Sequence, residues 1–387
     1  MRCPNCGSVN VAVIGTGGDG HRPLLTSDTG IVRNAVAHRL LCHDCADVSI
    51  VFDPPDSLQK FYAEAYDLGD TVQNPPIVVD GVVVQKRSKV YEAMWSGFGD
   101  LPPSGRFLEI ASGHGALSRL FKVRYPGYEC VAVDPSDEAR EAFADCPDDI
   151  SFVQDFFSSG LFAEQKAFDV VVAHGFLNRT PVLHALLEIR AVSHPGTLLS
   201  LDLMVLETSE CAPNIWDHTH MYTLDALVLY LKHVGFDIVQ VVDTVSCKHI
   251  VCRCSQRESG AVKDIRVPAS VRDRTGAVWE THEAFWEKTA LLATKVVDEN
   301  HHCSLFGAGM YNAVLVTRVG ADSFANVIDE TKAGGKFFGI PVVGIDDTPI
   351  ASVILCARPA YVAAMAAKLD ARGITRHIVI PEEFLLS

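Results

Sequence analysis

The chain has 387 residues, of which 48% are hydrophobic and 21% are charged, a composition typical of a folded protein with more than one domain. Its formal net charge of −15 argues against nucleic acid or an anionic membrane as a partner, because both require a basic protein face. No apolar run reaches the ~20 residues that cross a bilayer, and the first residues lack the apolar core of a secretory signal. We therefore expect a cytoplasmic protein that acts on a small molecule, whose oligomeric state the sequence does not indicate.

Two pairs of cysteines stand near the start of the chain: Cys3 with Cys6, and Cys42 with Cys45. A Cys-x-x-Cys pair lets two thiolates from one tight turn meet one ion, and two such pairs complete a tetrahedral zinc site. A redox dithiol would need only one pair. Because four protein ligands leave no open position on the metal, we expect structural zinc in a module at 1–60. Short strands at 10–14 and 39–41 would fill the gap between the pairs.

A helical linker is expected next, at 61–100. Residues 57–68 and 85–98 place apolar residues at the spacing of one helix face. These helices would connect the zinc module to the following domain.

Strands and helices alternate from 101 to 255. The predicted strands are 106–110, 129–134, 151–153, 168–173, 197–203 and 236–242, and the predicted helices are 115–123, 136–145, 180–192 and 223–234. This alternation indicates an α/β domain with a doubly wound parallel sheet of the Rossmann type. In such sheets the ligand lies beyond the carboxyl ends of the strands.

A glycine loop follows the first of these strands. Gly113 and Gly115 lack a Cβ atom, so the backbone there can approach a ligand closely and adopt unusual dihedral angles. The following helix points its first N–H groups into the same crevice. Asp134 ends the next strand, where a carboxylate can accept both hydroxyls of a ribose. The combination predicts a nucleoside cofactor.

The charged residue before the loop, Glu109, indicates which nucleoside cofactor to expect. Glu109 places a carboxylate where a pyrophosphate would otherwise lie, which favours a cation such as the sulfonium of S-adenosylmethionine. The pattern Glu109-x-Ala111-x-Gly113-x-Gly115 resembles the first motif of class I S-adenosylmethionine-dependent methyltransferases. The resemblance implies these cofactor-binding residues: Glu109, Ala111, Gly113, Gly115, the ribose acid Asp134, and Asp155 with Phe156 near the adenine.

A second glycine turn begins near the end of the chain. Residues 256–300 read as mostly helical, and the turn at 307–309 is followed by a predicted helix at 310–319 and a strand at 324–329. Strands near 352–356 and 376–380 complete a small Rossmann-like α/β domain. We therefore expect 256–387 to form a helical connector and this domain.

The whole chain resembles the sugar C-methyltransferase family, whose members methylate C3 of nucleotide-activated 4-keto-deoxysugars. Three groups of residues carry the resemblance: the four cysteines; Asp217-His218 with Tyr222-Thr-Leu224 and Gly235-Phe236; and Phe306-Gly-Ala-Gly309 with Asp329 and Gly339-Ile-Pro341. The resemblance implies a sugar-nucleotide substrate and a catalytic histidine in an acid–histidine pair.

The chemistry gives an independent reason for such a histidine. Carbon becomes nucleophilic only when the proton beside a carbonyl is removed, so a base is required. We expect His218 to be this base and Asp217 to raise its pKa. His174, in the loop at 173–179, and Tyr222 are further catalytic candidates.

Three other functions remain open at this point. An O- or N-methyltransferase would use His218 on a hydroxyl or an amine. A zinc-bearing binding module without activity is disfavoured by the complete set of cofactor acids. A nicotinamide oxidoreductase built on Gly307 and Gly309 is the weakest alternative.

Overall fold

The computed structural model describes residues 1–64, 76–79, 82–144, 150–244, 247–300, 303–346 and 352–382. The predicted helix at 57–68 is described as far as residue 64, and 65–68 lie outside the described residues, as does part of the predicted linker. The chain divides into two compact units. The first consists of Met1–Gly15, Ala37–Ser209 and His218–Gly276, and the second of Thr16–Val36, Glu210–Asp217 and the chain from Ala277 onward.

The elements are numbered in chain order. The first are β1 (Val11–Gly18), β2 (Leu24–Leu25), β3 (Ile31–Val32), β4 (Val36–Cys42), β5 (Val48–Asp53), α1 (Ser57–Glu64), β6 (Pro76–Val79), β7 (Val82–Gln85) and α2 (Lys86–Phe98). The next are β8 (Ser104–Ile110), α3 (Ala116–Arg124), β9 (Gly127–Val133), α4 (Asp137–Ala144), β10 (Ile150–Val153), β11 (Phe168–His174), α5 (Val182–Ala191), β12 (Ser193–Leu203), β13 (His220–Met221), α6 (Leu224–Val234), β14 (Phe236–Asp243) and β15 (Lys248–Cys254). The last are α7 (Ala269–Asn300), β16 (Ser304–Phe306), α8 (Met310–Val319), β17 (Val327–Ile328), β18 (Lys336–Phe337), β19 (Ile340–Val343), β20 (Ser352–Leu355), α9 (Pro359–Asp370) and β21 (Thr375–Ile378).

A seven-stranded sheet forms the centre of the first unit, in the order β10-β9-β8-β11-β12-β15-β14. The predicted doubly wound α/β sheet is confirmed, and its helices begin and end close to the predicted residues. Strand β15, which the sequence analysis did not include among the strands, pairs antiparallel with both β12 and β14 and so departs from the parallel pattern. Residues 244–247 are too short a connection for a parallel crossover, which needs a dozen residues or more.

Helix α6 shows how local sequence sets an element boundary. The Thr223 side chain accepts a hydrogen bond from the Ala226 N–H at the start of the helix. Gly235 ends the helix with φ +97°, a conformation that glycine adopts without cost. Between these caps, Leu227, Tyr230 and their neighbours on the same face are buried, which packs the helix into the core of the first unit.

The cysteine turns lie in this same core, although the sequence predicted a module at 1–60. Cys3, Cys6, Cys42 and Cys45 are buried together with the sheet and its helices. The Asn5 Oδ1 atom accepts a 2.8 Å hydrogen bond from the Leu183 N–H, one of the first-turn donors of α5 that have no partner within the helix. The Tyr230 hydroxyl donates a 2.6 Å hydrogen bond to the Cys45 carbonyl. The β-rich insertion between the cysteine pairs is confirmed, with β1 and β4 in one sheet together with β5 and β13.

The second unit contains a six-stranded sheet in the order β18-β19-β17-β16-β20-β21. Its pairs are parallel except for β18 with β19. This arrangement confirms the predicted small α/β domain near the end of the chain. None of the helices in the described residues is long and apolar enough to cross a membrane.

Tyr230 provides a test of the contact between α6 and the cysteine turns. We expect Tyr230→Phe to lower the free energy of unfolding by about 1–2 kcal/mol, because the buried Cys45 carbonyl loses its donor. Urea unfolding would measure this change. Tyr125→Phe is the matched control, since its hydroxyl accepts a 3.4 Å contact from exposed Arg124. Equal effects of the two substitutions would contradict the assignment.

Candidate active site

The predicted cofactor residues emerge from adjacent strands at the carboxyl edge of the seven-stranded sheet. Ile110 at the end of β8 pairs with Val133 of β9 on one side and with Ala173 of β11 on the other. The next residues of these three strands are Ala111, Asp134 and His174. From β8 the chain continues through β9 and β10 on one side and then returns to the other side with β11 and β12, so this edge is the switch point at which doubly wound sheets bind ligands.

The carboxylate of Asp134 holds the loop and the following helix in place. Its Oδ2 atom accepts a 2.9 Å hydrogen bond from the Gly113 N–H. Its Oδ1 atom accepts hydrogen bonds from the Ser136 N–H at 3.0 Å and the Ser136 hydroxyl at 2.7 Å. Asp134 is only 6% exposed. A buried carboxylate fixed at this position is suited to accept hydrogen bonds from ribose hydroxyls.

The two glycines of the loop have different roles. A Cβ atom on Gly113, which has φ +50°, would meet no heavy atom within 4 Å, so this glycine faces open space. A Cβ atom on Gly115, with φ +70°, would lie 2.1 Å from the Phe143 ring. Gly113 therefore leaves open space beside the loop, whereas Gly115 allows the loop to pack on Phe143. Ala111 also has a positive φ of 56°, which is uncommon outside glycine.

Glu109 is buried beside the loop and held by Ser118. The Ser118 N–H donates a 2.9 Å hydrogen bond to Oε2 of Glu109, and the Ser118 hydroxyl donates to the same oxygen. Nearby, the buried hydroxyl of Ser112 has no partner among the described residues. A fixed carboxylate and an unsatisfied hydroxyl fit the charged amino acid end of S-adenosylmethionine better than a pyrophosphate.

Asp155 and Phe156 follow β10, which lies next to β9 on the same sheet. Both side chains are exposed, and Phe156 is 62% exposed. The Phe156 N–H donates a 2.7 Å hydrogen bond to the Asp155 carboxylate. An exposed ring on this part of the edge is available to cover an adenine.

The side chain of Asn178 connects the two histidine-bearing segments of the first unit. Its amide nitrogen donates to the Met204 carbonyl at 2.9 Å and to the His220 carbonyl at 3.2 Å. Its oxygen accepts a 3.0 Å hydrogen bond from the Met204 N–H. The loop that begins at His174 is thereby fixed to the segment that contains His218 and His220. The sequence analysis missed this role of Asn178, because the partners are backbone atoms of distant residues.

His174 contacts a buried serine and a second histidine. Its Nε2 atom lies 2.9 Å from the Ser200 hydroxyl, which in turn lies 2.9 Å from Nε2 of His249. Burial lowers the pKa of His249 to about 4, so this histidine is neutral near pH 7. The sequence did not indicate a partner for His174, because Ser200 and His249 come close to it only when the strands pair.

Two further carboxylates, those of Asp217 and Asp47, accept hydrogen bonds from serine hydroxyls. The carboxylate of Asp217 accepts hydrogen bonds from the Ser27 N–H at 2.7 Å and the Ser27 hydroxyl at 2.5 Å. Asp47 accepts a hydrogen bond from Ser49 and lies 2.7 Å from Nδ1 of buried His220. A carboxylate–imidazole contact therefore exists at Asp47 and His220, which are 173 residues apart. No local sequence signal could reveal this pair.

Tyr222 lies inside the core. Its side chain is fully buried and its ring packs edge-on against Tyr230, with 6.1 Å between ring centroids. Burial and the nearby groups of Asp47 and Cys247 raise its pKa well above the usual value. The hydroxyl of Tyr222 therefore stays protonated.

The four cysteine sulfurs form a compact cluster. All four lie within 4.8 Å of one another and all four residues are buried. The Sγ atoms of Cys3 and Cys45 are 3.7 Å apart, and those of Cys6 and Cys42 are 3.6 Å apart. A zinc ion with four sulfurs at ~2.3 Å requires separations of about 3.8 Å, so the cluster has the dimensions of a tetrahedral site.

Asp134 provides the test of the cofactor site. We expect Asp134→Ala to weaken S-adenosylmethionine binding at least tenfold, because each hydrogen bond to a buried charged acceptor contributes about 1.5–3 kcal/mol. Calorimetric titration would measure the dissociation constant, and circular dichroism would show that the fold persists. The matched control is Asp137→Ala, an exposed acid at the start of α4. An unchanged dissociation constant in Asp134→Ala would exclude this site.

Comparison with known proteins assigns the enzyme class. Residues 87–241 match the family model of a methyltransferase domain, whereas no curated protein sequence matches the chain. Among solved structures, a 1,6-didemethyltoxoflavin-N1-methyltransferase from Burkholderia thailandensis is 15% identical, with coverage of 44% of this chain and 78% of that one and a TM-score of 0.35. Methyltransferases from Methanosarcina mazei (19% identity, 41% and 95% coverage, TM-score 0.34) and Mesorhizobium loti (15%, 43% and 97%, 0.36) are similarly distant. Such low scores assign no substrate. The match assigns a methyltransferase domain to residues 87–241 of this chain, which supports a methyltransferase enzyme.

Proposed function

We propose that this enzyme methylates a carbon atom of a keto-sugar nucleotide or a similar carbonyl metabolite. The observation that carries the proposal is the link through Asn178, which fixes the His174 loop and the His218–His220 segment to each other. His174 itself follows Ala173, the partner of Ile110 beside the cofactor loop. These contacts support a histidine near the methyl donor, where C-methylation would require a base. The resemblance to sugar C-methyltransferases supports the keto-sugar substrate.

The cofactor would be held by residues of the glycine loop and its neighbours. S-adenosylmethionine supplies an electrophilic methyl group on a sulfonium. Asp134 would accept the ribose hydroxyls, while Glu109 and Ser112 would face the charged amino acid end. Asp155 and Phe156 would lie at the adenine.

In the proposed mechanism, His218 is the general base. Its neutral imidazole takes the proton from the carbon beside the substrate carbonyl, the C–H electron pair becomes the enolate, and the imidazole becomes imidazolium. The bonds from Ser27 hold Asp217, the residue directly before the base. His174 is the alternative base, and the protonated Tyr222 would support the fold of this segment through its packing on Tyr230.

An O- or N-methyltransferase is the alternative within the same enzyme class. The same histidine would then take a proton from a hydroxyl or an amine. NMR spectroscopy of the methylated product distinguishes a new C–CH₃ bond from an O–CH₃ or N–CH₃ bond, so this measurement decides between the two functions.

Hydrogen exchange tests the base directly. In deuterated water, with a nucleotide-linked 4-keto-6-deoxyhexose and S-adenosylhomocysteine, wild-type enzyme should exchange the acidic proton of the sugar. We expect His218→Ala to slow exchange by ~10²–10⁴-fold, the usual contribution of a general base, with nearly normal cofactor affinity. His233→Ala is the control, because this histidine bonds to the Ala261 carbonyl on the exposed side of α6. Exchange at the wild-type rate in His218→Ala, with a loss in His174→Ala, would transfer the role to His174.

We also propose that the cysteine cluster holds one structural zinc ion. Four sulfur ligands would fill the coordination shell, so the metal would stabilise the fold and take no part in the reaction. The contacts of this cluster with α5 and α6 support a structural role.

Metal analysis tests the zinc site. We expect about one zinc per chain in purified protein, and loss of both metal and folded structure in Cys42→Ser, because metal binding and folding are coupled in such sites. Cys247→Ser is the matched control, since this cysteine lies outside the cluster. Wild-type protein that is folded and active without metal would contradict the proposal.

A further inference from the structure

A serine between two histidines forms a short chain of hydrogen bonds on one face of the seven-stranded sheet. His174 at the end of β11 pairs with Asp202 of β12, and Asp202 pairs with His249 of β15. Ser200 stands two residues before Asp202, so it lies on the same face of β12. Its hydroxyl is 2.9 Å from Nε2 of each histidine. The two imidazole rings meet edge-on, with 5.7 Å between their centroids.

The two ends of this chain differ in their exposure to solvent. Ser200 and His249 are completely buried, whereas His174 is half-buried at the carboxyl edge of the sheet. Burial lowers the pKa of His249 to about 4, so its ring is neutral near pH 7. A neutral imidazole carries one N–H group, so one nitrogen of His249 is a donor and the other is an acceptor.

The single hydroxyl proton of Ser200 limits the chain to two arrangements. The hydroxyl has no third partner within the described part of the chain, so its proton lies in one of the two contacts. In the first arrangement, His174 donates from Nε2 to Ser200, and Ser200 donates to His249. In the second, His249 donates from Nε2 to Ser200, and Ser200 donates to Nε2 of His174. The direction of the chain therefore decides which nitrogen of a neutral His174 carries the proton.

The surroundings of His249 favour the second arrangement. Its Nδ1 atom is buried and has no hydrogen-bond partner among the described residues. The first arrangement would place the proton on this nitrogen, as a buried N–H group without an acceptor. The second leaves an unprotonated nitrogen there. Orphaned buried N–H groups are rarer in folded proteins than acceptors with an unused lone pair, so His249 carries its proton on Nε2 and donates it to Ser200.

We propose that Ser200 and His249 are positioning residues that hold His174 in the tautomer with its proton on Nδ1. The Nε2 atom of His174 accepts the Ser200 hydroxyl, so its lone pair is already engaged. In this tautomer His174 acts as a hydrogen-bond donor and not as a base.

The consequence for the reaction rests on the proposed function. His174 directly follows Ala173, which pairs with Ile110 beside the cofactor loop. When His218 takes the proton from the substrate carbon, negative charge develops on the carbonyl oxygen. The Nδ1–H group of His174 stabilises this charge and keeps its own proton. The two histidines thus have separate roles, one as base and one as donor.

The first test observes the tautomer and needs no substrate. The full chain, with ¹⁵N-labelled histidines, is examined at about pH 8.5, where an ordinary histidine is neutral. Long-range ¹H–¹⁵N correlation spectra show which ring nitrogen is protonated, and the signals of His174 are those lost in His174→Gln. We expect the Nδ1–H tautomer in wild-type enzyme. In Ser200→Ala, His174 should change to Nε2–H, the tautomer that free imidazole side chains prefer.

Ser193→Ala is the matched control for this measurement. This serine lies on the same strand, β12, but its hydroxyl donates to the Ile189 carbonyl, so its loss should not change the tautomer of His174. A wild-type His174 with its proton on Nε2 would overturn the proposal. An Nδ1–H tautomer that persists in Ser200→Ala would overturn it as well.

His249→Phe tests the direction of the chain. The substitution removes the donor to Ser200, whose hydroxyl can then either donate to His174 or accept from it. The fraction of His174 in the Nδ1–H form should therefore fall toward that in Ser200→Ala. An unchanged tautomer, in protein with the circular dichroism spectrum of the wild type, would show that His249 does not set the direction. Ser200→Ala removes only a hydroxyl and keeps the test decisive if His249→Phe does not fold.

Proton exchange in deuterated water tests the role of the donor. With a nucleotide-linked 4-keto-6-deoxyhexose and S-adenosylhomocysteine, Ser200→Ala should exchange the acidic proton about tenfold more slowly, since outright removal of such a donor costs ~10²–10³-fold. The wild-type rate in a Ser200→Ala enzyme with a changed tautomer would refute the donor role of His174. Absence of exchange in wild-type enzyme would instead refute the proposed function and leave the tautomer result intact.

Discussion

The four cysteine sulfurs meet inside the hydrophobic core of the first unit, and much of that unit depends on this contact. Two turns that are far apart in sequence must come together against α5 and α6. Asn5 satisfies a free N–H group at the start of α5, and the Cys45 carbonyl accepts the hydroxyl of Tyr230 from α6. The first turns of the chain are therefore fixed to the helices that cover the central sheet.

The position of the cysteine turns also affects the position of His220. Asp47 lies two residues after Cys45 and contacts His220 on β13, which pairs with β5 through Ser49. Any displacement of the second cysteine turn would move this carboxylate away from the imidazole. The cysteine cluster thus helps to fix the position of Asp47 beside His220.

The two glycine turns of the chain share one backbone arrangement. In both, an aspartate at a strand end accepts a hydrogen bond from a loop N–H. Because the acceptor is charged, this hydrogen bond is stronger than one between neutral groups, and it fixes the loop. The residues beside the loops differ, since Glu109 is buried beside the first loop, whereas Ser304, four residues before Ala308, is buried and neutral.

Local sequence pattern was enough to predict the alternating strands and helices, the glycine loop with Asp134, and the two cysteine pairs. These features follow from periodicity, turn chemistry and ligand spacing within short segments. Three further features became visible only in the folded chain: the antiparallel β15, the separate role of Gly115 against Phe143, and the contact of Asp47 with His220. Each of these depends on strand pairing or packing between residues far apart in the chain, and such contacts leave no mark in a single sequence.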